Sequence, residues 1–140
     1  MSEHVTSIQA LGANALESES FLALLFDAVE VDSHALLRIR DEELSRLQVA
    51  GVIDDGTVVA FAAWDATSDP LVLEYIAVDA AHRGTGLGRR LIDHVRGSRP
   101  LLADTDDDAV EFYRRLGFTI SDAGRDARWP DRRRYRCVID

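Results

Sequence analysis

Three glycines alternate with other residues in the segment from Arg83 to Arg90, whose sequence is Arg-Gly-Thr-Gly-Leu-Gly-Arg-Arg. The apolar residues Leu87, Leu91, Ile92 and Val95 follow at helical spacing, so the glycines open a helix. Backbone N–H groups at such a helix start point into one concavity, where the helix dipole adds partial positive charge. Arginine side chains add forked donors for phosphate oxygens. We therefore predict that this segment, called the glycine loop below, binds an anion.

Two common phosphate-binding motifs do not fit the glycine loop. The dinucleotide pattern Gly-x-Gly-x-x-Gly begun at Gly84 needs glycine at position 89, where the chain has Arg89. All 16 basic residues are arginine, so no lysine is available for a loop that ends in Gly-Lys-Ser or Gly-Lys-Thr. The same absence excludes Schiff-base, pyridoxal-type and Ser-Lys chemistry. The anion site must therefore be built from backbone amides and arginine.

Glu74 stands inside the apolar run from Leu71 to Val78, which is predicted to be a central strand. The two-residue period of a strand puts Glu74 on the same face as Ile76 and Val78. A carboxylate among apolar neighbours needs either a partner or a function. The partner would be one of the arginines.

The strands that position these residues are predicted from hydrophobic alternation and turn signals. Asp54-Asp55-Gly56 lies between two β-rich runs and indicates a hairpin, because glycine supplies a positive φ. The predicted strands span Val5 to Leu11, Val49 to Ile53, Thr57 to Trp64, Leu71 to Val78, Leu101 to Ala103, Phe118 to Ile120 and Tyr135 to Ile139.

Four helices are predicted from capping residues and helical spacing. They run from Ser18 or Ser20 to Val29, from a cap at Ser33 to Ile39, from Gly86 to Arg96, and from a cap at Asp106 or Asp107 to Leu116, with Gly117 as C-cap glycine. The first helix is apolar around most of its circumference, which is typical of a buried or partnered helix. Hairpins followed by a strand, helix, strand, helix unit predict an α/β (α+β) domain.

Composition limits the class of protein. The 140 residues are 46% hydrophobic and 29% charged, which is typical of one folded domain, predicted over residues 1–140. No apolar run reaches the roughly 20 residues that span a bilayer, and the N-terminus has no signal-peptide pattern. Cys137 is the single cysteine, so no disulfide forms within the chain, which agrees with a reducing compartment. We predict a cytoplasmic protein that does not associate with membranes.

Charge and metal-ligand spacing exclude two further classes of function. The net charge of -9 argues against a nucleic-acid partner, which requires basic groups against phosphates. Residues 121–140 form a basic tail with six arginines and four aspartates, which either balances acidic neighbours or contacts an anion. The four histidines share no metal-ligand spacing, so no metal is predicted.

The glycine loop and a second segment resemble the GNAT superfamily of acyl-CoA-dependent N-acyltransferases. Motif A of that family reads Gln/Arg-x-x-Gly-x-Gly/Ala, and Arg83 to Gly88 match it. The strand from Leu73 to Val78, followed by Asp79, is similar to the family strand that leads into that loop. Residues 109–118, Ala-Val-Glu-Phe-Tyr-Arg-Arg-Leu-Gly-Phe, resemble motif B, a helix with a tyrosine four residues before Gly-Phe. The resemblance covers about residues 71–118.

The resemblance implies a fold and a co-substrate. The fold would be a mixed, mostly antiparallel sheet of six to seven strands flanked by about four helices. Acetyl-CoA would be the co-substrate, with its pyrophosphate on the loop and its pantetheine arm paired with the strand end. The residues implied to bind it are Ile76, Ala77, Val78, Arg83, Gly84, Thr85, Gly86, Leu87, Gly88, Arg89 and Asp106. Asp106 stands where the family often has an asparagine, and a helix cap is its alternative role.

The resemblance also implies a mechanism in which a primary amine attacks the thioester directly. Tyr113 matches the family tyrosine that protonates the coenzyme A sulfur, with a core aromatic as its alternative role. In some members a glutamate on this strand takes the ammonium proton, directly or through water. By alignment theirs falls at Val72, two residues before Glu74, which makes Glu74 a candidate base.

The acceptor amine is the part of the reaction that the sequence leaves undefined. Relatives of this kind build the acceptor site from the N-terminal helices and last strands, here the helix at 21–29 and the segment 125–135. Trp64, Trp129 and Tyr135 could line that pocket or belong to the core. The acceptor would be a small molecule or a peptide, and a homodimer is implied by many relatives. The alternative to an enzyme is a non-catalytic acyl-CoA-binding sensor or interaction module.

Overall fold

A computed structural model describes residues 7–107, 109–125 and 133–140 of the chain. The strands are β1 Gln9–Ala10, β2 Gln48–Asp54, β3 Thr57–Asp65, β4 Leu71–Val78, β5 Leu101–Asp106, β6 Thr119–Arg125 and β7 Arg133–Ile139. The helices are α1 Ala13–Leu16, α2 Glu19–Val29, α3 Ser33–Arg38, α4 Leu87–Arg96 and α5 Val110–Arg115. A π-helical turn, Ile39–Glu43, and two 3-10 turns, Leu44–Arg46 and Ala80–His82, complete the regular structure.

The described strands form one seven-stranded sheet in the order β1-β2-β3-β4-β5-β7-β6. Every neighbouring pair is antiparallel except β4 and β5, which α4 connects as a parallel crossover. The predicted mixed, mostly antiparallel sheet with flanking helices is therefore confirmed. Of the first predicted strand, Val5 and Thr6 lie outside the described residues.

The β2–β3 hairpin has the tight turn that its sequence predicts. Asp55 and Gly56 lie between the paired residues Asp54 and Thr57, with φ angles of 51° and 78°. Two successive positive φ angles are typical of a type I′ turn, whose twist matches that of the flanking strands. The Asp-Gly pair thus fixes the register of β2 against β3 at the turn.

Side chains cap the N-termini of α2 and α3, although the cap of α3 differs from the prediction. Ser18 precedes α2 and accepts a hydrogen bond from the Phe21 amide at 3.2 Å, as predicted. The hydroxyl of Ser20 instead accepts from the Val58 amide of β3, at 3.0 Å. At α3 the predicted cap Ser33 is wrong, because Asp32 accepts from the Ala35 amide at 2.8 Å.

The prediction for β5 and α5 is wrong in its boundaries. The strand continues to Asp106 instead of ending at Ala103, and α5 begins at Val110 without a side-chain cap from either aspartate. Aspartates are poor strand formers. Here Asp104 lies opposite Arg136 of β7, which donates from Nε at 3.3 Å, so opposite charges across the ladder stabilise the extension. This pairing supports a charge-balancing role for the basic tail.

Helices cover both faces of the sheet and create two cores. The first core lies under α4 and α5, and the second lies under α1, α2 and α3. On α2, Phe21 and Leu25 are fully buried while Phe26 is 48% exposed, so this helix buries one face within the chain. Cys137 is also fully buried, as a small core residue. None of the helices in the described ranges is both long and apolar enough to cross a membrane.

Gly51 of β2 allows the close approach of the neighbouring strand, and we expect Gly51→Ala to destabilise the fold. A Cβ there would collide with the Ala60 carbonyl oxygen and lie 2.9 Å from Leu11 Cδ1. Overpacking of this kind costs about 1–3 kcal/mol in the free energy of unfolding. Chemical denaturation measures the loss, with Gly12→Ala as control because a Cβ at Gly12 meets no atom within 4 Å. Equal stability of the two variants would contradict the packing argument.

Candidate functional site

A β-bulge at Glu74 changes which way β4 faces. Ala63 of β3 pairs with Tyr75, and the next residue, Trp64, pairs with Leu73, so Glu74 is left without a partner on β3. Leu73 and Ile76 consequently both face the first core, while Tyr75 faces the second core. Glu74 lines a groove with Leu47, which packs against the second core. The predicted placement of Glu74 on the face of Ile76 and Val78 is therefore wrong, because the extra residue breaks the two-residue period.

Beyond the bulge, β4 separates from β5. The two strands pair only from Leu71 to Leu73, opposite Leu101 to Ala103. The rest of β5 pairs with β7 alone, and the end of β4 pairs with β3 alone, within the described ranges. A gap between strands therefore opens beside Ile76, Ala77 and Val78, whose backbone edge is available to an extended ligand. This is the strand end that the sequence resemblance implies for a pantetheine arm.

The glycine loop follows directly from that strand end. Gly84 and Gly86 have φ angles of 79° and 85°, a backbone region that side chains other than glycine rarely occupy. Gly86 is the N-cap of α4 and has no side-chain cap. None of the amides from Gly84 to Arg89 donates an ordinary hydrogen bond to a carbonyl in the described part of the chain. The loop therefore presents a row of free N–H donors at a helix start, as an anion site requires.

The side chains of Arg83 and Arg89 make different contacts. Arg83 donates from Nε to the Val78 carbonyl at 3.2 Å, which fastens the loop to the end of β4 and leaves the side chain exposed. Arg89 donates to the Arg115 carbonyl at 3.1 Å, at the end of α5. Its side chain therefore supports helix packing, and the cofactor contact predicted for Arg89 rests on its backbone amide.

Gly88 and Leu87 face the helices instead of the solvent. A Cβ on Gly88 would make ordinary contacts with the Phe112 ring at 3.5 Å and Leu116 at 3.6 Å, so this face of α4 packs against α5. Leu87 is buried in the first core. Thr85 donates its hydroxyl hydrogen to the His82 carbonyl, which closes the turn that enters the loop.

Tyr113 is held on α5 by its ring neighbours and by the helix end. Its ring packs edge-on against Phe112 and Phe118, with centroids 5.4 and 5.3 Å away. The predicted C-cap glycine is confirmed, because Gly117 has a φ of 97° and the Phe118 amide donates to the Tyr113 carbonyl. This cap folds Phe118 back onto Tyr113 and fixes the ring.

The Tyr113 hydroxyl is kept protonated by its surroundings. The side chain is only 8% exposed, and burial raises the pKa of Tyr113 above its ordinary value, with smaller contributions from Cys137 and Asp106. Asp106 ends β5 at the edge of the gap. A phenol that stays neutral has a proton to donate at neutral pH.

Glu74 lies at the surface, next to the π-helical turn. It lines a groove of about 210 Å³ together with Glu43, Arg46 and Leu47. Burial raises the pKa of Glu74, and the negative charges of Asp65, Glu43 and Asp104 raise it further. Tyr75, the residue after the bulge, donates its hydroxyl to Glu43 at 2.6 Å. Glu43, Arg46 and Leu47 were not predicted as site residues, because the polar composition of Asp41 to Arg46 indicated only a connection to the sheet.

The remaining predictions about the site have mixed outcomes. Trp64 packs edge-on against His94 of α4 with ring centroids 6.3 Å apart, so it does not belong to the groove. Tyr135 donates its hydroxyl to Asp107 at 2.7 Å. Trp129 and most of the predicted acceptor segment 125–135 lie outside the described residues. The described residues contain no group of three or more histidine, cysteine, aspartate or glutamate side chains placed to hold a metal ion.

Comparison with known proteins agrees with this geometry. The family described as acetyltransferase (GNAT) domain matches residues 45–120. A protein assigned to the GNAT family from Desulfovibrio desulfuricans has a similar structure, with a TM-score of 0.73 and 18% identity over 97% of this chain and 99% of that one. No curated protein matches at the sequence level.

Two further solved structures carry functional descriptions. A GNAT family acetyltransferase from Elizabethkingia anophelis, solved with acetyl-CoA bound, has a TM-score of 0.71 and 14% identity, covering 96% of this chain and 97% of that one. The ribosomal-protein-S18-alanine N-acetyltransferase of Escherichia coli has a TM-score of 0.62 and 23% identity, covering 96% and 91%. At these identities the likeness concerns the fold.

Proposed function

Because this chain belongs to the GNAT acetyltransferase family, we propose that it transfers an acetyl group from acetyl-CoA to a primary amine by direct attack on the thioester. The observation that carries this proposal is the free row of amides from Gly84 to Arg89 at the end of a strand that has parted from its neighbour. The open strand edge is followed directly by the anion site. This arrangement suits a ligand in which an extended amide arm is attached to a pyrophosphate.

The proposed binding mode uses backbone groups throughout. The glycine-loop amides hold the pyrophosphate, and Arg83 adds a positive charge beside it. Ile76 to Val78 pair with the amides of the pantetheine arm, which fills the gap as an additional strand. An amide of the same strand polarises the thioester carbonyl. Asp106, at the far side of the gap, is the remaining proposed contact.

The proposed chemistry balances two protons. The neutral amine attacks the thioester carbon, a C–N bond forms, and the C–S bond breaks with its electron pair on sulfur. Tyr113 gives its phenolic proton to the departing thiolate. Glu74 takes the proton that the amine loses, directly or through water. Proton exchange with solvent restores both groups.

The groove beside Glu74 favours a cationic acceptor. Two of the four residues that line it are carboxylates, and Arg46 is the only cation among them. Arg46 Nε donates to the Glu42 carbonyl at 3.1 Å, so this side chain is partly engaged. We propose an amine that carries a further positive charge or a polar body in the groove.

We expect Glu74→Gln to lower kcat/KM about three- to tenfold at neutral pH, a modest loss because water can partly replace an exposed base. The base works when ionised, and its pKa is raised, so the wild-type rate should fall as the pH drops through that raised pKa. The variant should lose this step of the profile. A pH series of kcat/KM with a saturating acetyl donor measures it.

Glu43→Gln is the matched control for that profile. It removes a negative charge that raises the pKa of Glu74 while its amide oxygen still accepts from Tyr75. The acidic step should therefore move to lower pH with the plateau kept. If the Glu74→Gln profile coincides with the wild-type profile, Glu74 is not the base.

One experiment tests the function as a whole. Calorimetry with acetyl-CoA measures binding, and thiol release across a library of amines measures transfer. Binding with turnover of at least one amine supports the proposed enzyme. Binding without turnover of any amine supports a sensor that retains the site, and no binding of acetyl-CoA contradicts both.

A further inference from the structure

His82 lies between two aspartates that belong to different parts of the fold. Its Nδ1 is 3.2 Å from the Asp79 carboxylate, and its Nε2 is 3.5 Å from the Asp54 carboxylate. Asp79 follows β4, and Asp54 ends β2 at the hairpin turn. The imidazole therefore connects the hairpin with the segment that enters the glycine loop.

The residues around His82 are themselves anchored. The Asp79 amide donates to the Val59 carbonyl of β3 at 2.8 Å, and the Asp79 carboxylate accepts from the Ala81 amide at 3.2 Å. The His82 carbonyl accepts from the Thr85 hydroxyl. One residue thus contacts the hairpin through its ring and the loop through its backbone.

We propose that His82 is a positioning residue that holds the glycine loop against the β2–β3 hairpin, so that the loop amides face one anion before that anion binds. A segment with glycine at 84, 86 and 88 loses much conformational entropy when it is ordered. Contacts that order the loop in the free protein remove part of this cost from binding. The proposal rests on the proposed function only for the identity of the anion.

The expected magnitude follows from exposure. The side chains of His82 and Asp54 are 29% and 27% exposed, so water weakens both contacts. We expect His82→Ala to raise the Kd for CoA about three- to tenfold and to leave kcat at saturating acetyl-CoA nearly unchanged. The imidazole that this variant loses contacts Asp79 and Asp54, and neither is the proposed acid or the proposed base.

Conservative variants separate the two contacts. The amide of His82→Asn reproduces the position of Nδ1 and should keep the Asp79 contact alone. Asp54→Asn removes the charge at the hairpin, while Asp55→Asn removes the same charge one residue further on, where the side chain is exposed. Asp54→Asn should weaken CoA binding in the wild-type background and have no effect in the His82→Ala background. Asp55→Asn should bind as the wild type does.

Hydrogen exchange tests the loop without any ligand. The probes are the two hydrogen-bonded amides of the glycine loop, Arg83 and Arg90, which donate to the Ala80 and Gly86 carbonyls. In the free protein these amides should exchange about three- to tenfold faster in His82→Ala than in the wild type or in His34→Ala, whose histidine is exposed on α3. Unchanged exchange, or equal effects of Asp54→Asn in both backgrounds, would overturn the proposal. If the wild type binds no CoA, the proposed function fails, and loop exchange alone decides the role of His82.

Discussion

Replacing Tyr113 with phenylalanine is expected to lower kcat by about one to two orders of magnitude and to leave the Kd for CoA nearly unchanged. The change removes only the hydroxyl, and the ring contacts with Phe112 and Phe118 remain. Without the phenol, the thiolate must leave without a positioned acid. A thiolate is a weak base, so the gain from an acid lies at the low end of the usual range.

Single-turnover measurements check this prediction, because they isolate bond breaking from product release. Tyr135→Phe is the matched control, since it removes a hydroxyl that donates to Asp107 instead. We expect Tyr135→Phe to keep the wild-type rate. A Tyr113→Phe enzyme with an unchanged single-turnover rate would leave Tyr113 as a core aromatic, the alternative that its sequence position allowed.

Gly86→Ala is expected to weaken CoA binding about ten- to hundredfold. Gly86 has a φ of 85° at the N-cap of α4, and a side chain there costs about 1–2 kcal/mol. If the backbone relaxes to a negative φ, the following amides no longer point at the position of the anion. Each lost hydrogen bond to a charged group costs about 1.5–3 kcal/mol. Both responses weaken binding of the pyrophosphate. Calorimetry with CoA measures the effect.

Gly124→Ala separates loop geometry from backbone strain. Gly124 of β6 has a φ of 84°, and a Cβ there meets no atom within 4 Å, as is true at Gly86. The two variants should therefore lose similar stability. Only Gly86→Ala should lose affinity for CoA. Equal Kd values for the two variants would mean that the loop amides do not hold the anion.

The sequence indicated the parts of the site that depend on local chemistry. A glycine that needs a positive φ leaves a local signal, and so does a helix that begins where the glycines end. The loop at 84–88, the hairpin turn at 55–56 and the helix end at Gly117 all lie where these signals put them. Two of these three features, the glycine loop and the helix end at Gly117, lie in the segments that carry the family resemblance, which the comparisons confirmed.

Features that depend on contacts between distant segments could not be predicted in the same way. The bulge at Glu74 is visible only in the register against β3, so a strict two-residue period gave the wrong face. The extension of β5 depends on arginines of β7, about thirty residues later. Asp54 and His82 lie in separate elements, and only the fold brings them within 3.5 Å of each other.

The short contact between β4 and β5 also bears on how the chain folds. Strands β2, β3 and β4 form a meander of neighbouring antiparallel pairs, which need only short loops to close. Pairing β4 with β5 brings Leu71 next to Leu101 across an intervening helix, which costs the entropy of closing a long loop. Only three residue pairs form in return. This join should form late and open at a lower free energy than the two halves themselves. The short β4–β5 join thus coincides with the gap, and local opening there leaves the second core intact, because that core packs on the β2, β3 and β4 side alone.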